Sequence, residues 1–309
     1  MTTPSADAIG PSGVLGAGHD SRLPDAPKLT GWRAAARVFF GNKLGVVGLA
    51  LVVAVLLFSF AGPLFHHTDQ THPDLLILSQ APSSEHPLGT DDVGYDVLGR
   101  LMVGGQTSLI IGVGAAILAT IFGVLWGAIS GYAGGRLDSL MMRVVDMFIA
   151  IPALFLLLVL AAIFQPTLGM LIVVVALVSW LYPARLIRAE TLSLRDRDFI
   201  AAVQVAGGSN RRILIRHIVP NTIGTIVTNL TFQVADAILL VATLSFLGLG
   251  VEAPSTDWGA MLTKGTAYIF SGAWWQIYPA GIAIVLTVLG FNLMGDALRD
   301  AFEVRLRRR

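Results

Sequence analysis

Polar side chains inside otherwise apolar stretches are the first candidates for chemistry in this sequence. Asp236 lies near the middle of one such stretch, with Asn229 and Gln233 on neighbouring helical turns, and Asn292 lies in another. Exposing a carboxylate to hydrocarbon costs on the order of 3 kcal/mol, so an ionisable residue there faces a water-filled path or other helices. We expect these four residues to line a path for a polar solute. For Asp236, a hydrogen-bond network between helices explains the pattern equally well.

Patterns typical of hydrolytic active sites do not occur. Lys28, Lys43 and Lys264 lack the glycines and the following Ser or Thr of a phosphate-binding loop. The G-x-S-x-G and H-E-x-x-H patterns are also missing. Without cysteine, the chain offers neither a thiol nucleophile nor a thiolate metal ligand. We expect no catalytic residue, and the chain by itself is not predicted to be an enzyme.

Three histidines, His66, His67 and His72, suggest a metal site only weakly. Two of them are adjacent in sequence, Asp69 is the only nearby carboxylate before His72, and no cysteine can complete a tight site. We expect solvated loop histidines and no metal site.

The composition places most of the chain in lipid rather than in water. Of 309 residues, 54% are hydrophobic and 13% are charged, whereas roughly a quarter of the residues of a soluble domain are charged. A helix of about 20 apolar residues crosses the hydrocarbon core, and barrel strands would alternate polar with apolar residues, which these runs do not. The sequence predicts an all-α polytopic membrane protein with six transmembrane helices, at about 44–65, 106–132, 144–164, 168–187, 221–247 and 277–297.

Lys and Arg set the expected orientation, because cytoplasmic segments carry the excess of positive charge. With six spans, 19 of the 21 Lys and Arg fall on one side, and only Arg100 and Lys264 fall on the other. Both termini are therefore predicted to be cytoplasmic. The predicted divisions are a disordered cytoplasmic tail at 1–30, a first transmembrane helix with an extracytoplasmic segment at 31–105, a transmembrane domain at 106–298 and a basic cytoplasmic tail at 299–309.

The predicted cytoplasmic loop at 195–220 carries signals for two short helices. Asp198 can cap the first helix, and Gly207 can end it in the left-handed conformation. Ser209 can cap the second helix, and Pro220 can open the fifth span, where a missing N–H costs little. The expected product is a compact helix-turn-helix at the membrane surface. A basic amphipathic loop could instead serve membrane topology alone.

Glycines at every fourth position mark one face of the second span. They are Gly123, Gly127, Gly131 and Gly135. Small residues at this spacing let a neighbouring backbone approach closely. We favour packing within this chain over contact with a partner subunit.

The loop at 195–220 also resembles the Glu-Ala-Ala signature of ABC-importer permeases. The matching residues are Ala201, Ala202, Val203, Gly207, His217, Ile218, Val219 and Pro220. The chain departs from the signature at Ala201, where the family has Glu. A Glu three residues after Asp198 would complete a capping box, so this chain is expected to lack that reciprocal hydrogen bond.

Further motifs resemble the C-type permeases of dipeptide, oligopeptide and nickel importers. They are the runs at 86–91, 131–135 with Asp138 and Arg143, 216–221, 245–250 with 257–262, and 292–296 with 298–300. The resemblance extends from about residue 42 to 305 and preserves the order of the motifs in the family.

The resemblance implies a type I ABC-permease fold with a cytoplasmic coupling helix, in the cell membrane of a bacterium. The implied partners are a second, B-type permease, two ATP-binding subunits or one fused ATPase chain, an extracytoplasmic substrate-binding protein and membrane lipid, with no nucleic acid. No cofactor is expected in this chain, because ATP and Mg²⁺ would be bound by the ATPase subunits. The residues expected to couple to them are Asp198, Phe199, Ile200, Ala201, Ala202, Val203, Ala206, Gly207, Ser209, His217 and Pro220.

The sequence leaves the cargo open. Dipeptides and oligopeptides fit the resemblance best, and nickel chelates or another small solute are the alternatives within it. An ion-coupled secondary transporter using Asp236 would be expected to have broken helices in repeated halves, and no internal repeat is present. A membrane-embedded hydrolase is disfavoured by the missing motifs.

Overall fold

The computed structural model describes residues 32–164 and 167–307. The predicted tail at 1–30 and the end of the basic tail lie outside these residues. Apart from an isolated β-bridge between Thr90 and Asp96, the regular structure in the described residues is helical. The α-helices are α1 (Trp32–Gly41), α2 (Lys43–Phe65), α3 (Val97–Ala133), α4 (Gly135–Ile149), α5 (Ala153–Ile163), α6 (Leu168–Ser179), α7 (Leu181–Arg195), α8 (Asp198–Val205), α9 (Asn210–Ile213), α10 (Ile223–Phe246), α11 (Trp258–Thr266) and α12 (Tyr278–Arg307).

The six predicted spans correspond to four long helices and two bent pairs. Helices α2, α3, α10 and most of α12 are each long and apolar enough to cross a membrane. The third predicted span is wrong as a single helix, because α4 and α5 meet at 79°. Pro152 lies at this break, and a proline disfavours helical conformation in the residue before it. The fourth span is also divided, since α6 and α7 meet at 45°.

Helix α3 is the centre of the bundle and packs against α2, α6, α7 and α10. It begins at Val97 rather than near residue 106, because the Asp96 side chain caps it by accepting from the Gly99 N–H at 2.7 Å. Its 37 residues give a length of about 56 Å, so it extends well beyond a hydrocarbon core of about 30 Å. We call the end of the bundle that carries α8 and α9 the loop end, and the end at Val97 the opposite end.

The glycine face of α3 packs within this chain, as predicted, at three of its four positions. A Cβ atom at Gly123 would lie 2.7 Å from Cβ of Pro183, and one at Gly127 would lie 2.3 Å from the Ala184 carbonyl oxygen. Gly131 approaches α7 in the same way. The prediction is wrong for Gly135, which begins α4 with a φ of +56° and has no atom of the structurally described residues within 4 Å of its Cβ position.

At the opposite end, α11 is fixed to α3 by Trp258. Its indole Nε1 donates to the Leu101 carbonyl at 2.9 Å, and its backbone N–H donates to Ser108 Oγ at 3.2 Å. Arg100 also lies here and is only 5% exposed, with its guanidinium over the Tyr95 ring and bonded to a backbone carbonyl. Its charge is therefore held inside the protein.

Helix α1 was not predicted from the sequence. Ala35 and Phe39, one turn apart, are buried against Ala297 and Ala301 of α12. This packing places α1 beside the last helix, at the start of α2.

Candidate functional site

The first helix of the loop, α8, ends as the sequence predicts. Gly207 adopts a φ of +78°. Its N–H donates to the Gln204 carbonyl at 3.0 Å, and the Gly208 N–H donates to the Val203 carbonyl at 2.9 Å. These two bonds form a Schellman motif, which satisfies the last carbonyls of the helix and turns the chain sharply.

The beginning of α8 differs from the prediction. The capping position is occupied by Arg197, which makes no side-chain capping bond, and Asp198 is the first helical residue. A carboxylate there still interacts favourably with the positive end of the helix. Because the cap lies one residue earlier, Ala201 is the fourth helical residue, and a Glu there would not complete a capping box. The prediction that Ala201 costs this helix a capping-box hydrogen bond is therefore wrong.

Helix α8 is anchored on one side and open on the other. Ile200 is fully buried, in a small core with Ile213 and Ile218. Phe199, Ala202 and Ala206 lie at helical spacing on an exposed face. Within the loop, the exposed positions that the sequence assigned to coupling are Asp198, Phe199, Ala201, Ala202, Ala206, Gly207, Ser209 and Pro220, whereas Val203 and His217 are half-buried.

The second half of the loop contains a shorter helix than expected. Ser209 caps α9, its Oγ accepting from the Arg212 N–H at 3.4 Å, which confirms the predicted cap. After Ile213 the chain passes through one π-helical turn and then a 3₁₀ turn that contains Pro220. Pro220 thus precedes α10 by a turn rather than opening it.

Hydrogen bonds hold the loop against the end of α3. The guanidinium of Arg195 donates to the Gly131 and Tyr132 carbonyls at 3.4 Å, and the Tyr132 hydroxyl bonds Asn210 Oδ1 at 3.1 Å. About two turns earlier on α7, Arg188 forms a bidentate pair with Asp138 of α4 through two bonds of 2.6 Å. These bonds join α7 to α3 and α4, and they join α3 to α9.

A second candidate region is a groove of about 590 Å³ between α7, α10 and α12, which we call the polar groove. Its polar lining includes Asn229, Gln233 and Asp236 of α10. It also includes Glu190 of α7 and Arg299 of α12. The structure therefore brings together three of the four predicted path residues on one helix face.

A neighbouring apolar groove of about 720 Å³ lies between α4, α5, α7 and α10. It shares Tyr182, Gln233 and Asp236 with the polar groove. Asn292 lines neither groove and is half-buried on α12.

Each of the three histidines bonds a different group. His66 bonds the buried Asp96 at 2.9 Å, His72 bonds Asp69 at 2.9 Å, and His67 bonds the Pro63 carbonyl at 3.1 Å. In the part of the chain that the structure describes, no three His, Cys, Asp or Glu side chains are grouped as metal ligands.

Several residues of these sites were missed by sequence reasoning. A Cβ at Gly208 would lie 2.6 Å from Val203 Cγ1, so this position requires glycine for space. The sequence signal that could have predicted this requirement was the adjacent pair Gly207 and Gly208. The surroundings of Glu190 and Arg188 depend on how α7 packs in the bundle, so no local sequence pattern predicts them.

Comparison with known proteins places the chain in a family. Residues 123–308 match the model of the binding-protein-dependent transport system inner membrane component. Residues 30–82 match the N-terminal transmembrane domain of oligopeptide transport permease C.

Relatives match along nearly the whole chain. The oligopeptide transport system permease protein OppC of Bacillus subtilis is 39% identical over 94% of this chain and 94% of its own length. The dipeptide transport system permease protein DppC of the same organism is 35% identical over 91% of this chain and 88% of its own. OppC of Haemophilus influenzae is 36% identical over 88% of each chain. This multi-pass inner-membrane protein therefore belongs to the binding-protein-dependent transport system components, and among them to the C-type permeases of peptide transport systems.

Proposed function

We propose that this chain is one of two permease subunits of an ATP-driven importer of dipeptides or oligopeptides. The observation that carries the proposal is α8, a short helix with an exposed apolar face that is fixed to the bundle through the buried Ile200. An apolar face that the described residues of the chain leave uncovered suits a cleft in another subunit. In the proposed importer, that subunit is an ATPase.

In this mechanism, α8 and α9 dock on the ATPase subunits, which bind ATP and Mg²⁺. Closure of the ATPase pair pushes the loop, and α7 carries the movement into the bundle through Arg195 and the Arg188–Asp138 pair. The residues of this chain that act in coupling are those of the loop, and no chemical step takes place on them.

The polar and apolar grooves supply this chain's half of the translocation path. Asn229, Gln233 and Asp236 form the polar wall of that half. A B-type permease supplies the other half, and an extracytoplasmic substrate-binding protein delivers peptide at the opposite end.

Reconstitution of the complete transporter in proteoliposomes tests this function. We expect uptake of a labelled tripeptide that requires ATP, the ATPase subunits and the binding protein. Uptake of a nickel chelate but of no peptide would refute the peptide cargo. Uptake driven by a proton gradient without ATP would refute the importer class.

Chemical labelling tests the proposed cytoplasmic position of both termini. The chain has no cysteine, so single cysteines can be introduced cleanly. Ser83 and Ser271 are exposed at the opposite end, and Ser139 and Ser209 are exposed at the loop end. An impermeant thiol reagent added outside intact cells should label Ser83→Cys and Ser271→Cys only. The reverse pattern would invert the topology.

A further inference from the structure

The carboxylate of Asp236 lies where the polar groove and the apolar groove meet. It is the one acidic residue that lines both. Its side chain is exposed, and in residues 32–164 and 167–307 it has neither a hydrogen-bond donor nor an ion-pair partner. Arg185, in the apolar groove, is paired with Asp146. An exposed anion between two grooves and deep in a membrane protein requires a positive group or water.

Two amides of α10 continue from Asp236 along the polar groove. Asn229 is only 7% exposed, and its side chain has no hydrogen-bond partner among the described residues. Gln233 is 6% exposed and donates through Nε2 to the Ser179 carbonyl at 2.8 Å, which leaves its Oε1 as an acceptor. Although most of Asn229 is buried, its amide atoms are not enclosed and line the polar groove, where a ligand or water can bond them. Asn229 therefore offers a donor and an acceptor, as a peptide backbone requires.

The spacing of these groups fits a short extended peptide. Asn229 and Asp236 are seven positions apart on one helix, which separates them by about 10 Å along its axis. An extended chain advances by about 3.3–3.6 Å per residue, so about three residues cover this distance.

The apolar groove gives the remaining specificity. Beside Asp236 it is lined by Leu239 and Leu240 of α10 and by Ile151 and Leu156 across the groove. A side chain attached to the first residue of a peptide would enter it while the ammonium group stays on the carboxylate.

We propose that Asp236 binds the α-ammonium group of a peptide in transit. Asn229 and Gln233 pair with its first backbone amides, and the apolar groove accepts the side chain of its first residue. This site rests on the proposed function and assigns it a selectivity: about three residues with a free amino terminus and an apolar first side chain. The rival occupant of this face is a helix of the second permease.

Protection of an introduced thiol tests the site in the assembled transporter, in nanodiscs without ATP or binding protein. Leu239 is 43% exposed and lines the apolar groove, so Leu239→Cys reports on its occupancy. Its alkylation rate is measured by mass spectrometry of this chain. The probes are leucyl-alanyl-alanine, its N-acetyl form, and aspartyl-alanyl-alanine.

Leucyl-alanyl-alanine should slow the alkylation. The concentration needed for half of the effect should rise at least about tenfold for the N-acetyl and aspartyl peptides, because each loses a main contact. In Asp236→Asn, the concentration of leucyl-alanyl-alanine needed for half of the effect should rise by a similar factor. The free and the N-acetyl peptide should then protect equally. The matched control Asp296→Asn changes the same group on α12, outside both grooves, and should leave protection unchanged.

Equal protection by the free and acetylated peptides, or no protection, would overturn the site. Loss of the second permease from Asp236→Asn complexes would also overturn it, since Asp236 would then be a subunit contact. ATP-driven uptake by the unsubstituted transporter separates this failure from failure of the proposed function. Uptake without protection rejects only the site, whereas absence of peptide uptake rejects the function.

Discussion

The sharp end of α8 at Gly207 leads to a specific prediction about coupling. In Gly207→Val, the position must keep a φ of +78° or the turn between α8 and α9 must rearrange. No atom of residues 32–164 or 167–307 lies within 4 Å of the Cβ position, so the substitution meets no steric clash with this part of the chain. The cost is therefore one of backbone conformation.

The left-handed conformation costs a residue with a side chain about 1–2 kcal/mol, and a β-branched residue lies at the upper end. A change of that size alters the population of the native turn by a factor of about 5–30. Alanine should be intermediate. Asparagine should be nearly neutral, because it tolerates this conformation.

Transport and ATP hydrolysis are measured together in proteoliposomes that contain the complete transporter. We expect peptide uptake to fall in the order Gly207→Asn, Gly207→Ala and Gly207→Val, with the valine variant losing most of it. Basal ATP hydrolysis should persist wherever the ATPase subunits remain bound. Membrane insertion should be unchanged, because the substitution lies outside every span.

Gly272 provides the matched control. Its φ is +79°, no atom of the described residues lies within 4 Å of its Cβ position either, and it lies between α11 and α12 at the opposite end. Gly272→Val introduces the same local strain far from the loop and should leave coupling intact. Normal uptake by Gly207→Val, or equal loss of uptake in both variants, would refute the proposed role of the loop.

Three further predictions concern stability and use the unfolding of the purified chain in detergent. Arg188→Ala removes two charge-assisted bonds and leaves Asp138 without its cation, so the free energy of unfolding should fall by roughly 1.5–3 kcal/mol; Arg188→Lys should retain part of it, and an unchanged midpoint would contradict the pairing. Trp258→Phe keeps an aromatic ring but loses the bond to the Leu101 carbonyl, so a loss of about 1 kcal/mol is expected, well below the 3–5 kcal/mol for alanine. Burial raises the pKa of Asp257 above its usual range, so the protonated form is favoured in the folded chain and stability should fall as pH rises from about 4 through that raised value. Asp257→Asn should remove this pH dependence, and an equal slope in both proteins would assign it elsewhere.

The sequence predicts a span well where the length of its apolar run alone determines where the helix begins and ends. A helix in lipid needs about 20 apolar residues, and α2 and α10 begin and end within two residues of the predicted bounds. The bends in the third and fourth spans are harder to predict, because each predicted span follows the length of an apolar run, and run length alone does not show a change of helix direction. Pro152 was a usable signal at the first bend. At the second bend the usable signal was Pro183, in the first turn of α7, because a proline cannot donate to the carbonyl four residues earlier, which is that of Ser179.

Within the loop, the role of a residue can be predicted from the sequence when the residue interacts with backbone groups close to it in the chain. Gly207 and Ser209 act on backbone groups within four residues, so their roles follow from residue type and spacing. The cap of α8 was placed one residue late, because its position depends on where α7 ends. The space that Gly208 lacks is filled by Val203 only once the turn has formed.

Helix α7 joins the two candidate regions, which the sequence treats as separate. Arg188 bonds Asp138 of α4, while Glu190, two residues later, lines the polar groove. Residues two apart on a helix point in different directions, so α7 is held by its neighbours on one side and borders the groove on another. It ends at Arg195, three residues before α8 begins. A displacement of α8 by an ATPase subunit would therefore move the wall of the groove that faces Asp236.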